Sequence, residues 1–463
     1  MKKIVIVILL LVSIGGTYSY PNLSSTLNIA TGFSAKNLCS GHFISGFDTD
    51  AIATEALHPI DSSFQYLSYE VDENKQEVQT SIAGFFVRKA VYRPGTGCTL
   101  LVAGEDTLSP GVTPLEPALA PTTEPWPRGL GEISGQKAGV DYARLNSAID
   151  QAFSEPEQSG KRNVKAISIV HQGNLIAERY ANGVDKQTPL LSWSMAKSIT
   201  NLHVGLLVKA GKLNLFDAAE VPLWQDSQDP RSKITLDQLL RMSSGLEFNE
   251  TYGINTDVSS MLSTKGDTAA FASNKPLAFA PDSHWSYSSG TSNIIAGIIK
   301  RAVGGNFQDY YEFNQQQLLQ PLGINSAIFE TDASNTFVGS SYFYATARDW
   351  AKLGQLMLQN GSWNNQQLLP ENWVEYSTTP TKTHPLNEYG AQFWLNAQPL
   401  IADAPRTWPS VPEDTYYMGG YQGQYVIVVP SKELVIVRLG FTHPGTDRGI
   451  EALISGSIDA LPL

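Results

Sequence analysis

The chain closes on two apolar, β-branched runs, Tyr425-Val426-Ile427-Val428-Val429 and Leu434-Val435-Ile436-Val437-Arg438-Leu439, joined by Pro430-Ser431-Lys432-Glu433. Such runs bounded by turn residues read as strands, and the short link makes them an antiparallel pair. A helix is expected behind them, from about Asp447. A second hairpin stands far upstream, with Ile167-Ser168-Ile169-Val170 and Leu175-Ile176-Ala177 flanking the turn His171-Gln172-Gly173-Asn174. Before it lies a helix marked by Leu145, Ile149, Ala152 and Phe153. The stretch between the two hairpins is helical. Thr235 and Gln238 form a capping box ahead of Leu239-Leu240, and further helices run over about 293–303 and 346–358. Helix and hairpin, helical middle, hairpin and helix: this order predicts an α+β fold, an antiparallel sheet flanked by helices with an inserted helical subdomain.

The chain divides into four parts. Residues 1–19 carry Lys2 and Lys3, the apolar stretch Ile4 to Ile14, and a small polar close, Thr17-Tyr18-Ser19, which reads as a cleaved secretory signal. An apolar stretch this short falls below the ~20 residues a membrane-spanning helix needs, so an exported protein, periplasmic or extracellular, with no stable membrane insertion is expected. Residues 20–105 hold short β-rich runs, Phe64 to Tyr69 and Ala83 to Val87, and read as a small β-containing unit. The two cysteines of the chain, Cys39 and Cys98, both lie in it, and in an exported protein two such cysteines are expected to pair as a disulfide. A Pro-, Thr- and Glu-rich linker or strap covers 106–138, and 139–463 form the main domain.

With 42% hydrophobic and 16% charged residues, the chain can bury a large core. Its net charge of −12 excludes a nucleic-acid surface, because the phosphate-neutralising cations are missing. Seven scattered histidines show no ligand spacing, so neither metal nor cofactor is expected. There is no Gly-x-Ser-x-Gly elbow, no phosphate-binding loop and no dinucleotide-binding turn. His203 and His443 lack a recognisable partner and read as structural residues. The sequon Asn249-Glu250-Thr251 is of a kind expected by chance.

Chemistry enters at Ser194-Met195-Ala196-Lys197, which opens the apolar-periodic run Met195, Ile199, Leu202, Leu206. The spacing puts Ser194 and Lys197 on one face of the first turn of a buried helix, a serine nucleophile beside its own base. The helix N-terminus disfavours the ammonium form of the lysine. A lysine that accepts a proton at neutral pH must drop roughly 3 units from its free value near 10.4, and only a desolvated or electropositive site supplies that. A second match, Ser134-Gly135-Gln136-Lys137, has no apolar run behind it and reads as loop. Two further stretches suit such a site. Trp285-Ser286-Tyr287-Ser288-Ser289-Gly290 forms a turn before a helix, where the Tyr287 hydroxyl can relay a proton. Met418-Gly419-Gly420-Tyr421-Gln422-Gly423-Gln424 leads into the strand at Tyr425, with glycines that let an edge backbone approach a substrate closely.

Over roughly residues 140–460 the chain resembles the serine β-lactamase-like hydrolases: class C β-lactamases, penicillin-binding proteins, family VIII carboxylesterases and, most closely, 6-aminohexanoate-dimer hydrolases. The likeness rests on the Ser194 tetrapeptide with Leu191-Ser192-Trp193 before it, and on Leu239 to Leu246, Trp285 to Gly290, Gly339 to Tyr342, Ala345 to Trp350 and Gly423-Gln424, in the family's order. It implies the β-lactamase/transpeptidase-like version of the fold. It also implies roles: Ser194 as acylated nucleophile, Lys197 as base, Tyr287 as proton shuttle, and the backbone N–H groups of Ser194 and Gln424 as oxyanion hole. Tyr421, Gly423 and Ser289 fall at substrate-binding positions.

Two departures from the family's pattern shape the expected substrate. Tyr287-Ser288-Ser289 stands where class C enzymes have Tyr-x-Asn, so the amide that holds a β-lactam's acylamino group is missing. Tyr421-Gln422-Gly423 replaces Lys-Thr-Gly, which removes the cation that pairs with a penicillin carboxylate. The expected activity is therefore hydrolysis of linear amides or esters of small molecules. The alternatives are a peptidoglycan D,D-peptidase or β-lactamase, and a non-turnover sensor or binding protein.

Overall fold

The computed structural model describes residues 20–462 except 103, 104, 106, 117–122, 134, 158, 159 and 254. The signal expected over 1–19, and Ser134 of the second Ser-x-x-Lys match, lie outside the described residues.

The first unit opens with α1 (Tyr20–Phe43), which lies across a four-stranded antiparallel sheet of β1 (Ser68–Asp72), β2 (Glu77–Ile82), β3 (Phe85–Arg93) and β4 (Gly97–Leu100) in that order. Sequence reading did not anticipate this helix. It is covered by the sheet and also by the helix Asp257–Thr264, so its apolar residues form no single stripe. At Gly32 a Cβ would stand 2.1 Å from the Ser263 carbonyl oxygen, so only glycine permits the crossing. The expected strand over 64–69 begins only at Ser68. Asp61 accepts the Ser63 N–H at 2.8 Å and caps a 3₁₀ turn over Ser62–Tyr66 instead. Cys39 on α1 and Cys98 on β4 are joined by a disulfide in this unit's own small core.

The main sheet has six antiparallel strands. In chain order they are β5 (Val164–His171), β6 (Asn174–Tyr180), β7 (Trp394–Leu395), β8 (Tyr416–Gly420), β9 (Gln424–Val429) and β10 (Leu434–Gly440); in space the order is β7-β8-β9-β10-β5-β6. The upstream and downstream hairpins thus join edge to edge, with Ile436 opposite Ile169 and Arg438 opposite Ile167. Alternation along the strands sorts their side chains into two cores. Ile427, Val429, Leu434 and Ile436 meet α2 (Tyr142–Phe153) and the C-terminal helix Ile450–Asp459. Val426, Val428, Val435 and Val437 face the larger core with Trp350 and Leu353. That core also holds α3 (Ala196–Lys209) and α4 (Ser289–Ala302), followed by α5 (Ala347–Leu358), which rides on the sheet. At Gly354 of α5 a Cβ would approach Val435 to 2.5 Å, so the helix sits close because a glycine lets it. Between α3 and α5 lies the helical subdomain, and the Thr235–Gln238 capping box closes in both directions.

The strap is tied to the main domain at several points. Trp126 is buried and donates its indole N–H to the Arg348 carbonyl at 3.0 Å, while the Arg348 guanidinium pairs with Glu178 and donates to Gly131 O. The first unit is bound more deeply. Glu330 is fully buried, pairs with Lys36 of α1, and accepts from Ser40 Oγ at 2.7 Å and the Cys98 N–H at 2.6 Å. Burial pulls the Lys36 ammonium down and pushes the Glu330 carboxyl up, each opposed by the partner's charge. Arg93 adds bonds to Thr331 Oγ1 and Asn335 Oδ1.

Two stability predictions follow from these ties. The Cys39–Cys98 bond spans 59 residues, and chain-entropy reasoning assigns such a loop about 4 kcal/mol; the Cys39→Ser/Cys98→Ser protein is expected to melt at a clearly lower temperature, as calorimetry would show. Glu330→Ala alone leaves Lys36 buried and unpaired and is expected to cost ~3–5 kcal/mol, while adding Lys36→Met recovers most of that loss in denaturant titration.

Candidate active site

The chain leaves the sheet after β6 and reaches a 3₁₀ turn, Trp193–Met195, that feeds directly into α3. Trp193 sits at φ 45°, left-handed backbone that a bulky residue rarely adopts. It is held there on several sides. Its indole N–H donates to Gln422 Oε1 at 3.0 Å, and its ring stacks on Phe33 of α1 at 5.9 Å and meets Tyr421 edge-on at 5.8 Å. Gln422 is also left-handed, at φ 56°, and its amide donates to Ala56 O in the first unit at 2.8 Å. The turn carrying Ser194 is thereby fixed between the entry to β9 and the N-terminal unit.

One helical turn along, Lys197 is 1% exposed. Its ammonium donates to Ser194 Oγ at 3.2 Å, to Ser289 Oγ at 3.0 Å and to the Ser340 carbonyl at 3.2 Å. Ser340 is clamped by Asn293 of α4, whose side chain both accepts from the Ser340 N–H and donates to its hydroxyl. Burial lowers the Lys197 ammonium to about 8, and the nearby Glu250 carboxylate opposes the shift. This is most of the depression that a lysine base needs.

Tyr287 stands just ahead of Ser288, the N-cap of α4, whose hydroxyl accepts the Thr291 N–H. The Lys197 ammonium lies 4.6 Å from the centre of the Tyr287 ring, which Trp394 stacks on one side and Tyr389 meets edge-on. Burial and the Glu250 charge push the Tyr287 hydroxyl above the usual tyrosine range, with the Ser194 side chain as the polar partner that opposes them. The phenol therefore stays protonated at neutral pH while Lys197 is within reach of its neutral form.

The other residues marked from the sequence have definite partners. Ser289 Oγ accepts from Lys197 and donates to Glu250 Oε1 at 2.6 Å, so this hydroxyl belongs to the proton network. Gly420 presses against the nucleophile's entry, where a Cβ would stand 2.2 Å from Ser192 O. Gly423, at φ 80°, backs onto the buried Arg438, whose guanidinium donates to its carbonyl at 2.6 Å; it serves the backbone turn. Gln424 begins β9, against which the Ser194 turn packs, and its side chain is spent on Gly440, donating to O and accepting from N–H. Only its backbone remains for a substrate. Tyr421 is partly exposed and stacks on Tyr252 at 6.3 Å. Lys137 lies in a loop and donates to His171 O, and His203 is buried against Asn314 with its imidazolium form pushed down to about 4 by burial.

Sequence reading missed Glu250 and Tyr252. The Glu250 carboxylate accepts both the N–H and the hydroxyl of Ser289 at the N-terminus of α4, where a helix favours negative charge. Burial raises its carboxyl above the usual range, with Lys197 and Ser289 opposing. The Tyr252 side chain is half exposed and stacks on Tyr421, and burial with the charges of Glu250, Tyr287 and Tyr342 pushes its hydroxyl far up. Both lie in an irregular loop, and no local pattern marks them.

A serine hydroxyl bonded by a desolvated lysine, with a buried tyrosine over that lysine, on this sheet-and-helix frame is the arrangement of a class of serine hydrolase. The family model described as Beta-lactamase matches residues 149–452, and the chain belongs to that family. The 6-aminohexanoate-dimer hydrolase of Paenarthrobacter ureafaciens is 22% identical over 318 residues, covering 64% of this chain and 79% of that protein. Esterase EstB of Burkholderia gladioli is 28% identical over 211 residues, covering 40% of this chain and 51% of the relative. Among solved structures, a family VIII carboxylesterase superposes with TM-score 0.52 at 14% identity, covering 71% of this chain and all of that one. The first unit lies outside the matched family residues.

The charge order predicts a pH profile. If the rate follows neutral Lys197, kcat/KM rises about tenfold per pH unit on the acid side and levels off above about 8. Glu250 favours the ammonium form, so Glu250→Gln lowers the lysine's pKa further and moves the midpoint to lower pH. Profiles of both proteins on one ester check the sign.

Proposed function

We propose that the protein is an exported serine hydrolase that cleaves linear amides or esters through an acyl-enzyme on Ser194. The observation that carries this reading is Lys197: fully desolvated, bonded to Ser194 Oγ at 3.2 Å, and lowered to about 8 by burial. In its neutral form it takes the Ser194 proton as Oγ attacks the substrate carbonyl. The backbone N–H groups of Ser194 and Gln424 receive the oxyanion. Tyr287 passes a proton to the leaving amine or alcohol as the bond to carbon breaks, with Lys197 resupplying it. Water then attacks the acyl carbon, gives its proton back through the same groups, and frees Ser194 and the acid product.

The relatives named for 6-aminohexanoate-dimer and ester hydrolysis support amide and ester substrates. The Tyr421-Gln422-Gly423 stretch supplies no cation for a β-lactam carboxylate, which favours neutral substrates. The Cys39–Cys98 disulfide supports export, since such bonds persist in oxidising compartments. Among the described residues no helix is long and apolar enough to cross a membrane.

Ser194→Ala is expected to lower hydrolysis of a short-chain p-nitrophenyl ester by about 10³-fold or more, and to abolish the mass adduct formed with a fluorophosphonate. Equal turnover in both proteins would remove Ser194 from its role.

A further inference from the structure

A cavity of about 220 Å³ is lined by residues of the first unit and of the main domain, among them Phe33, whose ring stacks on Trp193 beside Ser194. It is lined by Ile29, Ala30 and Phe33 of α1, by Ile60 and Phe64 of the following turn, and by Leu262 and Tyr252 of the main domain. Its lining is largely apolar, with Thr26, Asp61 and a few serines at the margins. Two physical connections join it to the chemistry. Phe64, Phe33 and Trp193 form a file of stacked rings, 5.8 Å and 5.9 Å apart, that ends on the residue before Ser194. Tyr252, which lines the cavity, stacks on Tyr421, whose ring in turn meets Trp193 edge-on.

We propose that this cavity binds an apolar arm of the substrate, an alkyl chain or single aromatic ring on one side of the scissile bond, so that the N-terminal unit sets specificity. An apolar space of roughly 150 Å³ accepts a benzene-sized molecule, so this one holds a ring or a medium-length chain. Water there would find few polar partners, and its displacement by hydrocarbon is favourable. The proposal rests on Ser194 being the acylated nucleophile, since only then is the bond being cut held at the turn that Phe33 packs against.

The test compares hydrolysis of ethyl acetate, ethyl octanoate and octyl acetate by titration of released acid. The wild-type protein is expected to favour one octyl-bearing ester over ethyl acetate by about tenfold or more in kcat/KM, and which one it favours assigns the arm to the acyl or the alcohol side. Ala30→Leu, which fills the cavity from α1, should erase that preference while ethyl acetate turnover stays unchanged and certifies the fold. Ile60→Ala enlarges the cavity and should shift the preference to longer chains. No octyl preference in the wild type, or the same preference in both variants, overturns the proposal. Should none of the three esters be turned over, it is the nucleophile reading that fails. Calorimetry with 1-octanol then decides the cavity: binding to the wild type that is lost in Ala30→Leu supports it, and no binding overturns it.

Discussion

The ladder between β10 and β5 is the contact on which the rest of the structure depends. It joins residues 434–440 to residues 164–171 across most of the chain, and such a long-range pairing must overcome a large loop-closure entropy before it contributes anything. Uninterrupted apolar side chains on both faces make that possible, since each strand buries two rows at once. Once the ladder closes, the chain leaving β6 and the chain entering β9 arrive at the same side of the molecule. The turn Trp193–Met195 and the strand that begins at Gln424 pack together for that reason.

The site then trades stability for reactivity. Burying Lys197 without a directly bonded carboxylate costs free energy, which appears as its lowered pKa. Glu250 softens that cost at one remove, through Ser289, rather than by a contact ion pair. A directly paired carboxylate would hold the lysine charged and useless as a base. The left-handed backbone at Trp193 is a second local cost, and stacking with Phe33 and the bond to Gln422 oppose it.

The N-terminal unit is part of this machinery in physical terms. It supplies the carbonyl that orients Gln422, the ring that covers Trp193, and the buried lysine that pairs with Glu330. The Lys36 ammonium also lies 4.3 Å from the ring centre of Tyr342, which itself lies against Trp193. The matched family residues begin only at 149, yet the turn that carries Ser194 packs against this added unit through Trp193 and Phe33.

Local signals in the sequence were enough for the elements and the family. Capping residues, β-branched runs and the Ser-x-x-Lys spacing are encoded within a few residues, so the two hairpins, the Thr235 capping box and the helices beginning near 142 and 347 were legible from them. The paired cysteines were legible too, because their rarity leaves a single pairing. Helix α1 was not, since its burial on more than one side removes the periodic stripe that betrays a surface helix. Glu250 and Tyr252 were not, because irregular loops carry no periodicity and their chemistry arises only when α4 and the cleft come up against them. The sequence alone determined which residue types could do chemistry and in which order they come. Tertiary structure decided the desolvation of Lys197, the bonds that Ser289 makes to Lys197 and Glu250, and the packing of the first unit on Trp193, because desolvation and long-range contact exist only once distant segments are packed together.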